Sequence, residues 1–108
     1  MNINKKTRLF LDDTRAPTSS NFCIVRSYDD AVHFMRTRGC PDMISFDHDL
    51  QTLFTGYDLV KWMIERDMND NGKFIPEEFE YKVHSMNPVG SANIKALLDN
   101  YLQFRLNN

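Results

Sequence analysis

One short stretch limits the architecture of this chain most strongly, because it joins an apolar run directly to three titratable side chains. Residues 42–46 form a largely apolar run, and Asp47-His48-Asp49 follow at once. Such a run predicts a strand that is buried on both faces of a sheet. A buried strand that ends in two carboxylates and an imidazole contributes little to a core. The stretch therefore predicts a functional site at the end of a strand.

Two other strand-like runs end in polar side chains in the same way. They are residues 9–11, before Asp12-Asp13, and residues 81–83, before His84-Ser85-Met86-Asn87. Three strands that each finish in polar residues predict one pocket at one edge of a sheet, since ligands bind at the carboxyl ends of parallel strands.

Three segments carry helix signals. Ser27 is expected to cap the first helix and Gly39 to end it. Thr55 is expected to cap the second helix, with Asp58 three residues on, and Pro88 suits the first turn of the third. The third helix has apolar residues at the spacing i, i+3, i+4, i+7, i+8, namely Ile94, Leu97, Leu98, Tyr101 and Leu102.

Alternation of strands and helices predicts an α/β fold with a mainly parallel sheet. The expected strands are residues 7–11, 22–26, 42–46 and 81–85. One connection is unusual, because Thr14–Asn21 is too short for a crossover helix, which normally needs about a dozen residues. We expect an irregular loop there.

Composition narrows the functional classes. The 108 residues are expected to form one domain, residues 1–108, and 42 % hydrophobic residues suffice for one core. The net charge is −2 and no basic block occurs, which argues against extended duplex nucleic acid as a partner. A small nucleotide or an RNA end is still compatible with this charge as a partner.

Localisation follows from what the sequence lacks. No membrane span or signal peptide is visible, and the two cysteines, Cys23 and Cys40, are expected to be reduced, so a cytoplasmic protein is predicted.

The strand ends supply candidate metal ligands. Four carboxylates could form an acidic nest for a hard divalent cation such as Mg²⁺ or Mn²⁺: Asp12, Asp13, Asp47 and Asp49. Strand alternation would place Asp47 and Asp49 on one side and His48 on the other, although this rule weakens where a strand becomes a loop.

Two histidines are candidates for proton transfer. His48 and His84 lie at strand ends, and an imidazole can accept and donate a proton near neutral pH. His33, beside apolar positions of the first helix, is expected to be structural. Phosphate oxygens could be held by Arg15 and by the side chains of Ser85 and Asn87. Gly90 and Ser91, at the start of the last helix, could add free backbone N–H groups.

A competing pattern lies between the second helix and the fourth strand. Asp67-Met-Asn-Asp-Asn-Gly72 followed by Glu78 fits the spacing of a calcium-binding loop. Pro76, however, falls where the exiting helix should begin, and a strand is predicted soon after. A turn rich in Asn, Asp and Gly is the simpler interpretation.

Four motifs occur in order along the chain: Leu9-Phe-Leu-Asp-Asp-Thr-Arg15, Ile44-Ser-Phe-Asp-His-Asp-Leu50, Thr55-Gly-Tyr-Asp-Leu-Val-Lys-Trp62 and Val83-His-Ser-Met-Asn-Pro-Val-Gly90. In this combination the chain resembles the cyclic-phosphate processing receiver-like domain family. The resemblance implies a receiver (flavodoxin-like) sheet of strand order 2-1-3-4 and an activity on cyclic phosphates of nucleotides or RNA ends.

The same resemblance implies roles for individual residues. Asp12 and Asp13 match the acidic pair of a receiver, Asp47 matches its phospho-acceptor, and Ser85 lies near its switch hydroxyl. The fifth receiver strand and its lysine are expected to be missing. His48, Asp49, His84 and Asn87 are additions that a signalling receiver does not need.

Three functions follow as hypotheses. The first is a phosphoesterase-like enzyme that binds and hydrolyses a cyclic phosphate, such as a 2′,3′-cyclic nucleotide or a cyclic ADP-ribose phosphate, with Asp47, His48 and His84 as catalytic residues. The second is a non-enzymatic module that binds a nucleotide, a phosphate or a partner protein. The third is a true receiver that is phosphorylated on Asp47.

Overall fold

The computed structural model of the chain describes residues 6–51 and 53–107. These residues form four strands and three helices, which alternate after the second strand. In chain order they are β1 (Arg8–Leu11), β2 (Cys23–Val25), α1 (Tyr28–Arg38), β3 (Met43–Phe46), α2 (Gly56–Asn69), β4 (Glu80–Val83) and α3 (Pro88–Leu106). All strand pairs are parallel and the sheet order is β2-β1-β3-β4. The predicted α/β receiver-like fold is confirmed.

The first connection is irregular, as expected. No helix lies between β1 and β2, and the side chain of Arg26 holds the connecting loop in place. Its Nη1 donates to the carbonyl oxygens of Asp12, at 3.1 Å, and Arg15, at 2.6 Å. In the described part of the chain the sheet has four strands, and α3 follows β4 directly, which agrees with the predicted absence of a fifth strand.

The helix ends follow the sequence signals closely. Ser27 Oγ accepts from the Asp30 amide, and Gly39 has a φ of 85°, a left-handed conformation that glycine adopts without steric cost. Thr55 and Asp58 form a capping box at the start of α2. The fourth strand is shorter than predicted because it ends at Val83, and His84 and Ser85 therefore lie beyond it.

The core lies on one face of the sheet. Leu9, Leu11, Ile44 and Phe46 point to this face and pack in one buried cluster with side chains of all three helices. The alternating residues, such as Phe10 and Ser45, point to the opposite face and lie outside that cluster. Right-handed crossovers from β2 to β3 and from β3 to β4 explain why the helices share one side. Within the described ranges, no helix is long and apolar enough to cross a membrane.

Asp67 has a structural role, not the role of a calcium ligand. Its carboxylate is fully buried and accepts hydrogen bonds from the Phe74 and Ile75 amides, at 2.9 and 2.7 Å, from the Tyr101 hydroxyl and from Arg105. Arg105 also donates to the Ile75 carbonyl at 2.7 Å. The helix that a calcium loop requires after it is absent, since β4 follows. Asp67 instead fastens α3 to the turn after α2.

We predict that Asp67→Asn lowers the free energy of unfolding by about 3 kcal/mol at neutral pH, because Arg105 loses its buried partner. Burial alone would raise the pKa of Asp67, but the bonds from Tyr101 and Ile75 and the charge of Arg105 outweigh it and lower the pKa below its ordinary 3.8. A lowered pKa stabilises the fold above the unfolded-state pKa, and this contribution disappears as the pH falls through the folded-state pKa.

Urea unfolding between pH 3 and pH 7 measures this effect. The difference between wild type and Asp67→Asn should shrink as the pH drops below about 4. Asp70→Asn is the matched control, because Asp70 is an exposed carboxylate three residues away. Equal destabilisation by both variants would contradict the structural role of Asp67.

Candidate functional site

The carboxyl edge of the sheet places three side chains in one row. Hydrogen bonding between the strands continues one step past their ends, since the amides of Asp12, Asp47 and His84 donate to Val25, Leu11 and Phe46 carbonyls at 3.1, 3.0 and 2.9 Å. Two positions earlier along each strand stand residues whose side chains point away from the helices: Phe10, Ser45 and Lys82. Alternation therefore directs all three side chains to the helix-free side of the edge.

Asp12, Asp47 and His84 converge in this row. One potential ligand atom from each lies within 4.8 Å of those from the other two. Asp12 is fully buried, Asp47 is 6 % exposed and His84 is half-buried. Two buried carboxylates and an imidazole are a group that could hold a metal ion.

Asp12 is held as an anion by the loop that follows it. Its Oδ1 accepts from the amides of Thr14, at 2.9 Å, and Arg15, at 2.7 Å, and its Oδ2 accepts from Arg15 Nε at 2.9 Å. Burial alone would raise the pKa of Asp12. The two amides, His84 and the charge of Arg15 together outweigh burial and lower the pKa to about 2.

Asp47 has the opposite electrostatic balance. Burial raises its pKa, and the negative charge of Asp12 raises it further, while Arg15 Nη2 lies 3.8 Å from its Oδ2 and offsets only part of the effect. The start of α2 fixes its backbone, because Gly56 packs directly on it. A Cβ at Gly56 would lie 2.0 Å from the Asp47 carbonyl oxygen, so only glycine fits there.

His84 is oriented on three sides. Its Nε2 lies 3.0 Å from Asp12 Oδ2 and its Nδ1 lies 2.7 Å from Ser45 Oγ, while its ring stacks on Phe10 at 4.4 Å between centroids. Because an ionised carboxylate only accepts hydrogen bonds, Nε2 carries a proton in this arrangement. The carboxylate, hydroxyl and aromatic ring together fix the position of this imidazole.

The structure does not bring Asp13 and Asp49 into this row, so two members of the predicted acidic nest lie apart from it. Asp13 Oδ2 accepts from the Gln51 amide at 3.1 Å. Asp49 Oδ1 lies 2.7 Å from His48 Nδ1, and this contact and Asn87 lower the pKa of Asp49. Asp49 lines the same open cleft as Asp47, but its carboxylate contacts His48 and does not join the row.

His48 lies on the side of α3, not beside Asp12. Its ring packs so closely on Gly90 that a Cβ there would lie 2.4 Å from His48 Cγ. The side chain is 16 % exposed, with Nδ1 directed to Asp49. The two histidines are therefore each paired with a carboxylate, but they belong to different parts of the edge.

The residues predicted to hold phosphate divide into two groups. Arg15 and Ser85 line an open cleft of about 350 Å³ with Asp47 and Asp49. The amides of Gly90 and Ser91 are not available for an anion, since they donate to the Asn87 side chain and carbonyl, each at 2.9 Å. Asn87 caps α3 and directs its Nδ2 towards Asp49 at 3.3 Å, so its polar atoms are also engaged.

Two important neighbours of His84 were not among the residues singled out from the sequence. Ser45 is the hydroxyl in the buried strand β3, and Phe10 lies beside it on β1 in the paired register. The signal for Ser45 was present, because a lone hydroxyl between Ile44 and Phe46 needs a hydrogen-bond partner when it is buried. Only the strand register identifies that partner.

The row fits a divalent cation. Asp12 and Asp47 place two buried acidic groups side by side, with one partly exposed guanidinium, that of Arg15, as the nearby cation. Two carboxylates supply oxygen ligands of the kind that Mg²⁺ and Mn²⁺ take, and the imidazole adds one nitrogen ligand. The residues that would hold such an ion are Asp12, Asp47 and His84.

Comparison with protein families identifies the family of this chain. The model of the family described as the cyclic-phosphate processing receiver domain matches residues 7–100. Neither curated proteins nor solved structures gave a significant match. The matched range includes every strand and the whole of the row formed by Asp12, Asp47 and His84. The chain therefore belongs to the cyclic-phosphate processing receiver domain family.

Proposed function

We propose that this protein binds a cyclic phosphate ester on a nucleotide or RNA end and hydrolyses it at the carboxyl edge of the sheet. The observation that supports the proposal most is the convergence of Asp12, Asp47 and His84 beside Arg15, in a member of a family described as cyclic-phosphate processing. Both observations are needed, because the family description alone does not specify the reaction and the geometry alone does not specify the substrate.

Hydrolysis of a cyclic phosphodiester sets definite requirements. The oxygen of a water molecule bonds to phosphorus, one ester P–O bond breaks, and the ring opens to a phosphomonoester with a free hydroxyl group. A proton must leave the attacking water and another must reach the departing oxygen. Negative charge on the phosphoryl oxygens must be stabilised by cations or hydrogen-bond donors.

Arg15 and Ser85 are the proposed phosphate contacts. The Arg15 side chain is 47 % exposed and lines the cleft, with Nη2 between the His84 carbonyl, at 3.3 Å, and Asp47. A guanidinium can bind two phosphate oxygens at once. Ser85 Oγ accepts from the Asn87 amide, so its own hydrogen is available to donate into the cleft.

Asp12, Asp47 and His84 are the proposed ligands of a divalent ion. An ion held there would supply Lewis acidity, which polarises a phosphoryl oxygen. Such an ion would replace the proton on His84 Nε2, and Ser45 would act as a positioning residue because its contact with Nδ1 fixes the direction of Nε2. Arg15 would remain close enough to share the charge of the substrate with the ion.

A metal-independent mechanism is the second candidate, and a specific observation favours it. Each strand-end histidine already has a carboxylate partner, His84 with Asp12 at 3.0 Å and His48 with Asp49 at 2.7 Å. Paired carboxylates orient imidazoles for proton transfer. In this mechanism one histidine would accept the proton of the attacking water and the other would donate a proton to the departing oxygen, His84 acting beside Arg15 and His48 from its position against Gly90 of α3.

Two other functions from the sequence stay as alternatives. A module that only binds a nucleotide or phosphate would show saturable binding without turnover. A receiver phosphorylated on Asp47 would react with acetyl phosphate, although Asp47 is buried and, in the described residues, no fifth strand supplies the usual lysine. The experiments below separate these alternatives from hydrolysis.

We predict turnover of 2′,3′-cyclic nucleotides, followed by ³¹P NMR as the cyclic phosphodiester signal converts to a monoester. His84→Gln and Asp47→Asn should each lower kcat by about 10² or more, because each removes a group at the reacting centre. His33→Gln is the matched control, since His33 is exposed on α1. The absence of turnover across a panel of cyclic phosphates and divalent metals would refute hydrolysis.

We predict that the protein binds Mn²⁺ through the row and not through the wider acidic nest. Asp12→Asn and Asp47→Asn should weaken Mn²⁺ binding at least about tenfold, whereas Asp13→Asn and Asp49→Asn should leave it nearly unchanged. Electron paramagnetic resonance of free Mn²⁺ measures the affinity. Turnover that persists in chelator, with no Mn²⁺ binding, would favour the metal-independent mechanism instead.

A further inference from the structure

One face of the sheet carries no helix in the described part of the chain. All three helices pack in the cluster on the side of Leu9 and Leu11. On the other side, Phe10 of β1, Ser45 of β3 and Lys82 of β4 stand next to one another in the paired register. Among the described residues, the loop of residues 14–22 approaches this face, and Phe10 and Ser45 are buried there. A helix-free face next to the proposed reacting centre is a natural place for the rest of a substrate.

This helix-free face lies directly beside the row at the strand ends. Asp12, Asp47 and His84 follow Phe10, Ser45 and Lys82 by two positions each, so the two rows point to the same side. The contacts of His84 demonstrate the continuity, since its ring stacks on Phe10 and its Nδ1 lies 2.7 Å from Ser45. A molecule held at the strand ends can therefore extend along this face.

Two adjoining cavities run along the face. The first, of about 250 Å³, is lined by residues of the site, including Arg15, Ser45 and His84. The second, of about 420 Å³, lies farther from the strand ends, between Arg8, Met43 and Glu80. Phe22 and Lys82 line both cavities, which shows that the two adjoin. We call this pair of cavities the face groove.

The face groove has the chemistry of a nucleobase site. The Phe22 ring is partly exposed and lies edge-on to Phe10, with 5.9 Å between centroids. Lys82 is exposed beside it and Arg15 stands at the end near the site, while Glu80 is the single acid among the lining residues. Aromatic rings with neighbouring cations hold bases by stacking and hold the attached phosphates by charge.

We propose that the face groove binds the base of a nucleoside cyclic phosphate, with Phe22 as the stacking residue and Lys82 as a second contact. The proposal rests on the proposed function and adds to it a base subsite with two specificity-determining residues. The cyclic phosphate then lies over Asp12, Asp47 and His84, and the base lies in the face groove beside Phe22 and Lys82. A sugar phosphate without a base would leave the groove empty.

The test measures binding and turnover separately. Isothermal titration calorimetry on the Asp47→Asn background, where turnover is slow, gives Kd for 2′,3′-cyclic AMP and for glycerol 1,2-cyclic phosphate, which has no base, and ³¹P NMR with Asp47 in place gives turnover of both. With Phe22 in place, the protein should bind the nucleotide at least tenfold more tightly than the glycerol ester. Phe22→Ala should raise Kd for the nucleotide about tenfold, consistent with the loss of base stacking, and leave the glycerol ester unchanged.

Two further variants keep the test decisive. Lys82→Met retains the apolar stem of an exposed side chain and should raise Kd for the nucleotide a few-fold, even if Phe22→Ala folds poorly. Phe104→Ala is the control, because Phe104 is 60 % exposed on α3, on the opposite side of the sheet, and this change should leave Kd unaltered.

The outcomes separate the subsite from the proposed function. Turnover of both esters with no effect of Phe22→Ala or Lys82→Met would overturn the base subsite and keep hydrolysis. Nucleotide binding that depends on Phe22, without turnover, would keep the subsite and refute hydrolysis. The alternative occupant of this face is a second copy of the chain. If the protein forms a dimer and nucleotide addition dissociates it, the subsite is supported. If nucleotide does not dissociate the dimer but Phe22→Ala abolishes it, the face belongs to the second copy and the subsite is overturned.

Discussion

The carboxylate of Asp12 is the interaction on which the rest of the edge depends. It is fully buried, yet four donors from three residues surround it: two loop amides, Arg15 Nε and the imidazole of His84. These bonds offset the cost of burying a charge and close the loop after β1 on the end of β4. Without this anion, Arg15 and His84 would lose the partner that directs both of them towards Asp47.

Much of this arrangement could be predicted from the sequence, because local signals and long-range packing agree. The helix caps at Ser27 and Thr55 give the helix starts, and the continuous apolar run of β3 marks a strand with two buried faces. The shortness of Thr14–Asn21 indicated an irregular first crossover. Convergence of polar residues at the carboxyl edge follows from parallel strands alone. The strand order came from the family resemblance, not from the pattern.

The members of the site were harder to predict, because a carboxylate at a strand end has several partners within reach. Asp13 and Asp49 have the same chemistry as Asp12 and Asp47, but the loops after β1 and β3 bring Asp13 to the Gln51 amide and Asp49 to its neighbour His48. The sequence suggested Gly90 as an anion-binding residue, but its amide already donates to the Asn87 side chain. These choices depend on which atoms meet in the loops at the edge of the sheet. The spacing along one strand does not contain that information.

Asp12, Asp47 and His84 are the proposed reacting centre for a cyclic phosphate. Anomalous diffraction from a crystal of the protein with Mn²⁺ and a 2′,3′-cyclic nucleotide tests this assignment. We predict a manganese peak bounded by these three side chains, with the phosphate against Arg15. A manganese peak between Asp13 and Asp49 or in the loop from Asp67 to Glu78, with the phosphate away from Arg15, would contradict it.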